Sequence, residues 1–469
     1  MGLLQDLAAA PTCFERKGSY MKQEQALTAS ELHYRKMTQT PVSKLILQLG
    51  MPTTVSMLIT SIYNMADTYF VGTLGESAQA ATGILFALQS VIQGIAFMLG
   101  HGSGSLVAKS LAKRDTREAS SYISTAFYTG GMVGCVILVL GMLFLTPFVR
   151  LLGSTETILP YARDYGMWVL IACPFMICSL ILNNNLRFEG KAFYAMFGLT
   201  TGGLLNILGD YLLVPALGVY GAGLSTAVSQ MVSFVILLIM YCTKAQGKIR
   251  LSCISRRVGD YLTIMRVGLP SLIRQCLTAI SGSLLNNLTK PFEDAAIAAM
   301  SVVNRYSMFV MCVGLGIGQG FQPVAAFNYE AGEKKRVRKG LLFTMSFAAV
   351  FVTILSVFTF FKAEGIMLLF QKMEEVVTIG ARALRFAAFG LLFMPLTIPI
   401  NMLYQSIRKA GIASVLSTLR SGALLIPSLL IGVPLLGLTG IQIAQPIADC
   451  LTGLISIPFV LHFLRRESE

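Results

Sequence analysis

Charged side chains are scarce in this chain. Asp, Glu, Lys and Arg together make up 13% of its 469 residues, whereas hydrophobic residues make up 54%, and the mean hydropathy is +0.68. A water-soluble globule of this length needs more polar residues than these to cover its surface. The composition therefore excludes a soluble globular protein and indicates a chain that folds in a lipid bilayer.

The sequence also lacks the residue clusters that enzymes and metal proteins use. It contains only three histidines and nine cysteines, and the cysteines show no paired metal-ligand spacing, so we interpret them as packing residues. There is no paired nucleophile and base and no phosphate-binding Gly-Lys motif, and Gly209 beside Asp210 is too weak a pair to indicate an intramembrane protease. We therefore predict a protein that is not an enzyme, needs no cofactor and draws its energy from an ion gradient or a partner.

Alternation of polar and apolar residues over short segments is missing too, which argues against a transmembrane β-barrel. The sequence instead contains apolar runs of about 20 residues or more, the length that an α-helix needs to cross a hydrocarbon core about 30 Å thick. We count twelve such runs, near residues 45–70, 80–108, 121–148, 164–186, 193–214, 220–242, 268–289, 295–326, 340–361, 386–407, 412–433 and 440–464. The predicted fold class is an all-α integral membrane protein with twelve transmembrane helices.

The basic residues predict the orientation of the chain in the membrane. Most of the 37 lysine and arginine residues lie in alternate loops, such as 109–117 and 334–339, and in the two tails. By the positive-inside rule these loops and both termini are cytoplasmic. The net charge of +14 then reflects topology rather than nucleic-acid binding, and we expect a multi-pass protein of the cytoplasmic (inner) membrane. Residues 1–40 lack a signal-peptide core and are predicted to form a cytoplasmic tail.

An internal repeat divides the chain into two halves. At an offset of 218 the matching pairs include Gly50/Gly268, Pro52/Pro270, Gly100/Gly318 and Gly102/Gly320; at 221 they are Pro174/Pro395, Arg187/Arg408 and Gly190/Gly411; at 219 they are Pro215/Pro434, Gly218/Gly437 and Gly221/Gly440. Each half has an even number of spans, six, so we expect two lobes related by a pseudo-two-fold axis along the membrane normal. The predicted boundaries are lobes at 41–243 and 267–464, a cytoplasmic linker at 244–266 and a tail at 465–469.

These features resemble the multidrug and toxic compound extrusion (MATE) family, in its prokaryotic drug-efflux branch, over about residues 40–465. The resemblance is carried by Gly50, Pro52, Asp67, the segment 78–81, the segment 184–190 with Arg187, the pair Asn206 and Asp210, and the segment 218–226. It implies a secondary active antiporter that exports cationic, amphiphilic drugs or toxic compounds by alternating access. It also implies that Asp67 faces Asp210 inside the N-terminal lobe. The expected partners are small-molecule drugs and the lipid bilayer, and we expect a monomer.

Each intramembrane ionisable residue needs a reason, because a charge at the centre of a membrane helix costs about 2.5–3.5 kcal/mol on insertion scales. A residue that the fold requires should tend to recur in both halves, but Asp67 maps onto Leu285 and Asp210 onto Leu429. We therefore interpret this pair as an ion-coupling site, and a helix-end cap near the outer surface is the structural alternative. Further ligands are expected from Tyr63, Asn183, Asn206 and Thr226. The coupling ion is H+ or Na+, and Na+ would bind Asp67, Asp210 and Asn206.

The C-terminal lobe carries ionisable residues of its own. The candidates to line a substrate cavity are Arg274, Arg305, Asn286 and Asn287. Pairing with Asp449 or snorkelling is the alternative for the arginines, Arg420 included. The same arginines leave open a second function, a flippase for a lipid-linked sugar precursor of the same broader superfamily, in which several cations would hold a pyrophosphate. His101 is interpreted as a hydrogen-bonded packing residue.

Overall fold

The computed structural model describes residues 30–151, 154–289, 291–292, 294–370 and 373–466. Within these residues all regular secondary structure is helical, so the predicted all-α class is confirmed. The part of the predicted tail before residue 30 lies outside the described residues. Residues 30–39 form a short helix, α1.

The described residues of the first half form seven helices, α1 included. Their bounds are α2 Val42–Gly72, α3 Glu76–Ala112, α4 Thr116–Leu143, α5 Leu145–Leu151, α6 Leu159–Phe188 and α7 Ala192–Lys244. Helix α7 is 53 residues long and is broken at Gly218, whose φ of 61° and ψ of −141° are not helical. Glycine tolerates this conformation because it has no Cβ. The break divides α7 into two spans, α7a (192–217) and α7b (219–244), close to the predicted runs.

The second half follows a short 3-10 turn, Leu251–Cys253. Its helices are α8 Val258–Thr289, α9 Asp294–Glu330, α10 Lys334–Phe370, α11 Glu374–Leu391, α12 Met394–Ser406, α13 Ala410–Thr418, α14 Leu425–Leu436 and α15 Leu438–Arg466. Helices α11 and α12 bend by 50° at a short break and make up one broken span. A π-helical turn, Leu419–Ala423, joins α13 to α14.

The helices account for the twelve predicted spans. Among the described residues, nine helical segments are long and apolar enough to cross a membrane, and the bent pair α11–α12 is a tenth. Helix α7 counts as two spans because of its break, which gives eleven. Helix α8, 32 residues long, is the twelfth. Helix α8 is less apolar than the other spans because it carries Arg266, Arg274, Gln275, Asn286 and Asn287.

The two lobes pack through glycines that the repeat has in both halves. A Cβ added at Gly320 of α9 would lie 2.4 Å from the Cα of Gly50 on α2. The symmetry-related contact joins α3 to α8, because a Cβ added at Gly102 would lie 3.3 Å from the backbone nitrogen of Gly268. The backbones of the two lobes therefore touch at two equivalent places, as a pseudo-two-fold relation requires.

The structure corrects the offset predicted for the turn after the sixth helix. Gly190 and Arg408 both have positive φ, 71° and 64°, and they lie 218 residues apart, as in the rest of the repeat. The sequence match of Arg187 with Arg408, at 221, is therefore wrong, because it aligned a helical arginine with a turn arginine. The 219 offset holds further on, where Gly218 and Gly437 share φ values of 61° and 57°.

One end of the bundle carries the basic turns, and we call it the basic face. It comprises the turns at 113–115, 189–191, 331–333 and 407–409, the segment 245–257 and helix α1. The lobes also meet here through ion pairs: Glu330 contacts Lys113 of the other lobe at 3.0 Å and Arg408 of its own lobe at 2.5 Å. The lobes are thus closed against each other at the basic face.

Candidate functional site

Three helices of the N-terminal lobe bring polar side chains together around Asp67. Its Oδ2 accepts a hydrogen bond from the hydroxyl of Tyr165 on α6 at 3.2 Å. The same hydroxyl accepts a hydrogen bond from Nε2 of Gln89 on α3 at 3.4 Å. The carboxylate of Asp67 is therefore held in place by a side-chain network rather than exposed at a helix end.

Asp210 on α7a is the more deeply buried of the two carboxylates, with 0% of its surface exposed. It lies close enough to Asp67 for the two groups to interact electrostatically. Neither of its oxygens accepts a hydrogen bond from the described residues, and the same is true of Oδ1 of Asp67 and Oδ1 of Asn206. Four buried acceptor oxygens therefore have no donor. We call the surrounding group the ion chamber; it comprises Tyr63, Asp67, Tyr165, Asn206, Asp210 and Thr226.

The break in α7 brings the chamber residues of that helix together. Asn206 lies one turn before Asp210, so both side chains share a face of α7a. Because α7b folds back from Gly218, Nδ2 of Asn206 donates to Oγ1 of Thr226 at 3.2 Å. Gly209 permits this close approach, since a Cβ there would lie 2.4 Å from Oγ of Ser225.

Helix α2 supplies the other side of the chamber. Tyr63 lies one turn before Asp67, so the two side chains point the same way. Gly203 of α7a allows α2 to approach, because a Cβ added there would lie 3.1 Å from Cδ1 of Tyr63. The residues predicted on α2 and α7 are therefore brought to one place by close helix packing.

The chemistry of the ion chamber follows from its excess of acceptors. Burying a polar oxygen without a donor costs about 1–3 kcal/mol, and more for a charged carboxylate. A proton on one carboxyl supplies a donor to a neighbouring oxygen, and Na+ would instead be coordinated by several oxygens together. Within the described residues no three His, Cys, Asp or Glu side chains cluster as a metal site would require. Either a proton or a bound cation would thus satisfy oxygens that have no donor among the described residues.

The equivalent place in the C-terminal lobe is apolar. Leu429, the counterpart of Asp210, is fully buried in a cluster with Leu425, Ala444 and Ala448, and Leu285, the counterpart of Asp67, packs against this cluster. The two lobes share a scaffold, yet only one of them holds carboxylates at these positions.

The structure does not bring Asn183 into the ion chamber. Its Nδ2 donates to the carbonyl of Ala195 at 2.9 Å. In the other lobe Asn401 donates to Ala413 at the same distance, 218 residues further on. Asn183 lies 18 residues from Tyr165 on α6, about 27 Å along the helix. A contact that recurs in both lobes belongs to the scaffold, so we withdraw Asn183 from the predicted ion ligands.

The candidate residues of the C-terminal lobe have different surroundings. Arg420, in the π-helical turn, donates from Nε to Oδ1 of Asp449 at 2.7 Å, which is the pairing that the sequence left open. Arg274 is half-buried on α8 and forms no ion pair within the described part of the chain. The remaining three, Arg305, Asn286 and Asn287, are exposed side chains of α9 and α8.

A buried polar network crosses between the lobes near the basic face. Arg187 of α6, 3% exposed, donates to Oε1 of Gln319 on α9. Its Nη2 lies 3.2 Å from Nε2 of His101, and Nδ1 of His101 lies 2.8 Å from Oγ of Ser271 on α8. His101 is thus a fully bonded residue between the lobes.

Comparison with known proteins identifies the architecture. The MatE family model matches the chain twice, at residues 52–212 and 270–431, so each half is one copy of the family's repeat. The chain belongs to the MatE family. The resemblance seen in the sequence is thereby confirmed, and membership of the MatE family implies a membrane transporter.

Individual relatives match over nearly their full length. The multidrug export protein MepA of Staphylococcus aureus (strain MSSA476) is 26% identical over 443 residues, which cover 93% of this MatE chain and 96% of the relative. A FAD transporter of Shewanella oneidensis is 22% identical over 432 residues, covering 89% and 94%. A solved outward-facing structure of a multidrug resistance MATE family transporter of the MOP superfamily superposes with a TM-score of 0.86 at 23% identity, covering 92% and 97%. The twelve-helix, two-lobed fold is therefore confirmed.

Two residues of the ion chamber network were missed in the sequence. Tyr165 and Gln89 lie in apolar spans as neutral side chains, so the search for ionisable residues passed over them. The repeat held a signal for Tyr165, because the residue 218 positions later is Ala383. A polar group present in only one half of this MatE chain marked Tyr165 as it marked Asp67.

Proposed function

We propose that this protein is a secondary active antiporter that exports cationic, amphiphilic drugs or toxic compounds in exchange for H+ or Na+. It works as a monomer in the cytoplasmic membrane, with its basic face and both termini in the cytoplasm, in agreement with the positive-inside rule. The ion chamber binds the coupling ion, and the two lobes move against each other to give alternating access.

The observation that carries this proposal is the set of four donorless oxygens in the ion chamber. They belong to Asp67, Asn206 and Asp210, and they lie in one lobe only. If these side chains had only a structural role, their oxygens would be expected to accept hydrogen bonds, because unpaired buried polar groups destabilise a fold. A site that alternately takes up and releases a cation has a reason to keep them.

The proposed transport cycle depends on the difference in hydrogen bonding between Asp67 and Asp210. Asp67 accepts a hydrogen bond from Tyr165, so its charge is partly stabilised without a bound ion. Asp210 has no such donor among the described residues. Binding of a proton or Na+ therefore stabilises this carboxylate more than it stabilises Asp67. Ion binding from outside favours the state that releases the drug, because a ligand shifts a two-state equilibrium by its difference in affinity.

The relatives support export of drugs, and the arginines argue against the flippase. MepA is named as a multidrug export protein, and its match extends over almost the whole chain. A flippase cavity should present several free cations to a pyrophosphate, but Arg420 is paired with Asp449, so only two of the three arginines, Arg274 and Arg305, are left without an ion pair among the described residues. The cation-exporting antiporter is therefore the function that the site supports best.

The test uses purified protein in lipid vesicles loaded with a cationic dye, driven separately by a pH gradient and by a Na+ gradient. We expect Asp210→Asn to reduce gradient-driven dye movement by about 100-fold or more, because the loss of the ion site removes coupling. Asp164→Asn is the matched control, since Asp164 is an exposed carboxylate of α6, and it should transport within about twofold of the unmodified protein.

The gradient that drives the dye identifies the ion. Movement driven by only the pH gradient assigns H+, and movement driven by only the Na+ gradient assigns Na+. The proposed antiport would be contradicted if the dye moved as fast without any gradient as with one. It would also be contradicted if gradient-driven movement survived in Asp210→Asn at matched protein levels.

A further inference from the structure

A second polar cavity lies at the basic face of the N-terminal lobe, away from the ion chamber. Its volume is about 960 Å³, which is at the upper end of the range for small-molecule sites. It is bounded by α1, by the first turn of α4, by the turn between α6 and α7a, and by the segment 244–253. We call it the basic cavity.

The charged residues around the basic cavity are almost all cations. The basic side chains are Lys36, Arg117, Lys191, Lys244, Lys248 and Arg250, and the one lining carboxylate is Glu189. Of these, Lys36, Arg117 and Arg250 form no ion pair within the part of the chain that the structure describes. The cavity therefore carries a large excess of positive charge.

Glu189 does not offset this charge, because its donors are already in place. It is fully buried and accepts hydrogen bonds from the hydroxyl of Tyr241 at 3.0 Å and the backbone nitrogens of Gln246 at 2.6 Å and Gly247 at 3.2 Å. Lys191 pairs with it at 3.3 Å. Glu189 thus serves to hold the linker against the lobe. The ammonium of Lys248 donates to the carbonyls of Cys242 and Ala245 at 3.4 and 3.3 Å, which fixes its position beside the cavity.

The linker presents its basic side chains from a fixed backbone. The nitrogen of Lys248 donates to Oγ of Ser120 at 2.9 Å, and the nitrogen of Arg250 donates to Oγ of Ser124 at 3.1 Å. Ser124 in turn donates to the carbonyl of Lys248 at 3.1 Å. Cations held on a fixed backbone lose less freedom when they bind an anion.

His33 of α1 lines the basic cavity next to its lysines. Burial, together with the charges of Lys191 and Lys36, lowers the pKa of His33 to about 4. Its Nε2 is buried and has no hydrogen-bond partner among the described residues. A neutral ring nitrogen between lysines, with nothing bonded to it, is a free polar group that a ligand can engage.

We propose that the basic cavity binds a phosphate-bearing anion, through Lys36 of α1 and the linker cations Lys248 and Arg250. The phosphate belongs either to an anionic phospholipid headgroup or to a soluble polyphosphate such as a nucleotide. Lysine and arginine bind both through charge-assisted hydrogen bonds. This site is separate from the ion chamber and does not depend on which ion or drug is transported.

The position of α1 gives the bound anion a structural consequence. Nδ2 of Asn328 on α9 donates to the carbonyl of Met37 at 3.1 Å, and Nη2 of Arg336 on α10 donates to the carbonyl of Thr40 at 2.5 Å. Helix α1 is therefore attached to the C-terminal lobe, and its Glu31 also pairs with Arg114 of the N-terminal lobe at 3.0 Å. An anion between Lys36 and Arg250 would add a second link between α1 and the N-terminal lobe and so stabilise the closure of the two lobes at the basic face.

The test measures binding to the full-length protein in uncharged detergent. Adenosine triphosphate is titrated by calorimetry at low salt, and phosphatidylglycerol is compared with phosphatidylcholine by native mass spectrometry. The test variant is Lys36→Gln with Arg250→Gln. The control is Lys335→Gln, because Lys335 is an exposed cation of α10 that corresponds to Arg117 in the repeat. We expect the double variant to weaken binding about tenfold or more and the control to change it less than about twofold.

The two ligands distinguish the two sources of phosphate. Preference for phosphatidylglycerol over phosphatidylcholine, lost in the double variant, assigns a lipid headgroup; calorimetric binding of adenosine triphosphate, lost in the same variant, assigns a soluble polyphosphate. If neither ligand binds, or if the double variant and the Lys335→Gln control behave alike, the proposed site is wrong. Because binding is measured without a gradient, this result is independent of the proposed antiport.

Discussion

Tyr165 is the residue that makes the two carboxylates of the ion chamber different. It is 3% exposed, and its hydroxyl donates to Asp67 but not to Asp210. Hydrogen bonds to charged groups contribute about 1.5–3 kcal/mol. This one hydroxyl can therefore decide which carboxylate holds its charge while the other exchanges a cation.

We expect Tyr165→Phe to slow coupled dye transport by about tenfold or more, because Asp67 would lose its donor while the packing of the ring is kept. Binding of the dye itself should change less than about twofold. The measurement is initial dye efflux from vesicles, with dye affinity determined separately by fluorescence. Tyr161→Phe is the control, since Tyr161 is an exposed tyrosine at the start of the same helix. Equal rates in both variants would remove Tyr165 from the mechanism.

Some residues of the ion chamber could be predicted from the sequence and others could not. Asp67, Asp210 and Asn206 were predicted from burial cost, from the repeat and from the family resemblance, and the structure brings them together. Asn183 was included for its amide, but sequence alone does not say whether an amide meets an ion or a carbonyl. Its repeat partner Asn401 was the available signal, since a conserved contact between the halves indicates scaffold.

At the scale of the helices, the close contact between the lobes depends on glycines, which have no side chain. Gly102 leaves room for the carbonyl of Ile264, which a Cβ would approach to 2.1 Å. Gly320 leaves room for Gly50 in the same way. Contacts this short between backbones leave no side chain able to move aside, so the fit of α3 to α8 and of α2 to α9 tolerates no larger residue.

We expect Gly320→Ala to force α9 away from α2 and to weaken the closed state by about 1–3 kcal/mol, as overpacking usually does. Hydrogen–deuterium exchange should rise in the backbone around 46–54 and 316–324, and dye transport should fall severalfold. Gly282→Ala is the control, because a Cβ on Gly282 of α8 meets nothing within 4 Å. Unchanged exchange in Gly320→Ala would show that the lobes do not depend on this contact.

Helix bounds were predictable where apolar runs ended at turns, and less so where charge interrupts a helix. The predicted run 340–361 ends where α10 is kinked at Lys362 (φ −106°, ψ 17°), but the helix then resumes and reaches Phe370. Glu364 pairs there with Arg385 at 2.9 Å, which the sequence did not reveal. Helix α1 was missed because it is short and is held by contacts with distant residues, such as Asn328, rather than by its own apolar face.

At the scale of the whole molecule, the two lobes have the same scaffold and different interiors. Both contain the glycine contacts between lobes, the broken helix at Gly218 or Gly437, and the asparagine contact made by Asn183 of α6 or Asn401 of α12. Only the N-terminal lobe holds the carboxylates, because Leu285 and Leu429 fill the equivalent positions. One ion chamber therefore serves a movement in which both lobes take part, and the number of ions per cycle is limited by that chamber.

The ion chamber should take up one cation in each cycle. A proton on Asp210 would itself donate to a free oxygen of Asp67 or Asn206, so a single proton relieves several of the unpaired acceptors. Export of a monovalent cationic dye in exchange for one such ion moves no net charge. Exchange for two ions would add about 2.3 kcal/mol for each 100 mV of membrane potential.

We therefore expect dye accumulation to be independent of voltage when the ion gradient is held constant. The measurement uses vesicles whose potential is fixed at 0 or 100 mV with potassium and valinomycin, and it compares the final dye ratio across the membrane. A two-ion exchange would change that ratio by about 50-fold between the two potentials, because each 1.4 kcal/mol is a factor of ten. Asp210→Asn vesicles correct for passive dye movement. A ratio that follows the potential in the unmodified protein would mean that Asp67 and Asp210 each carry an ion.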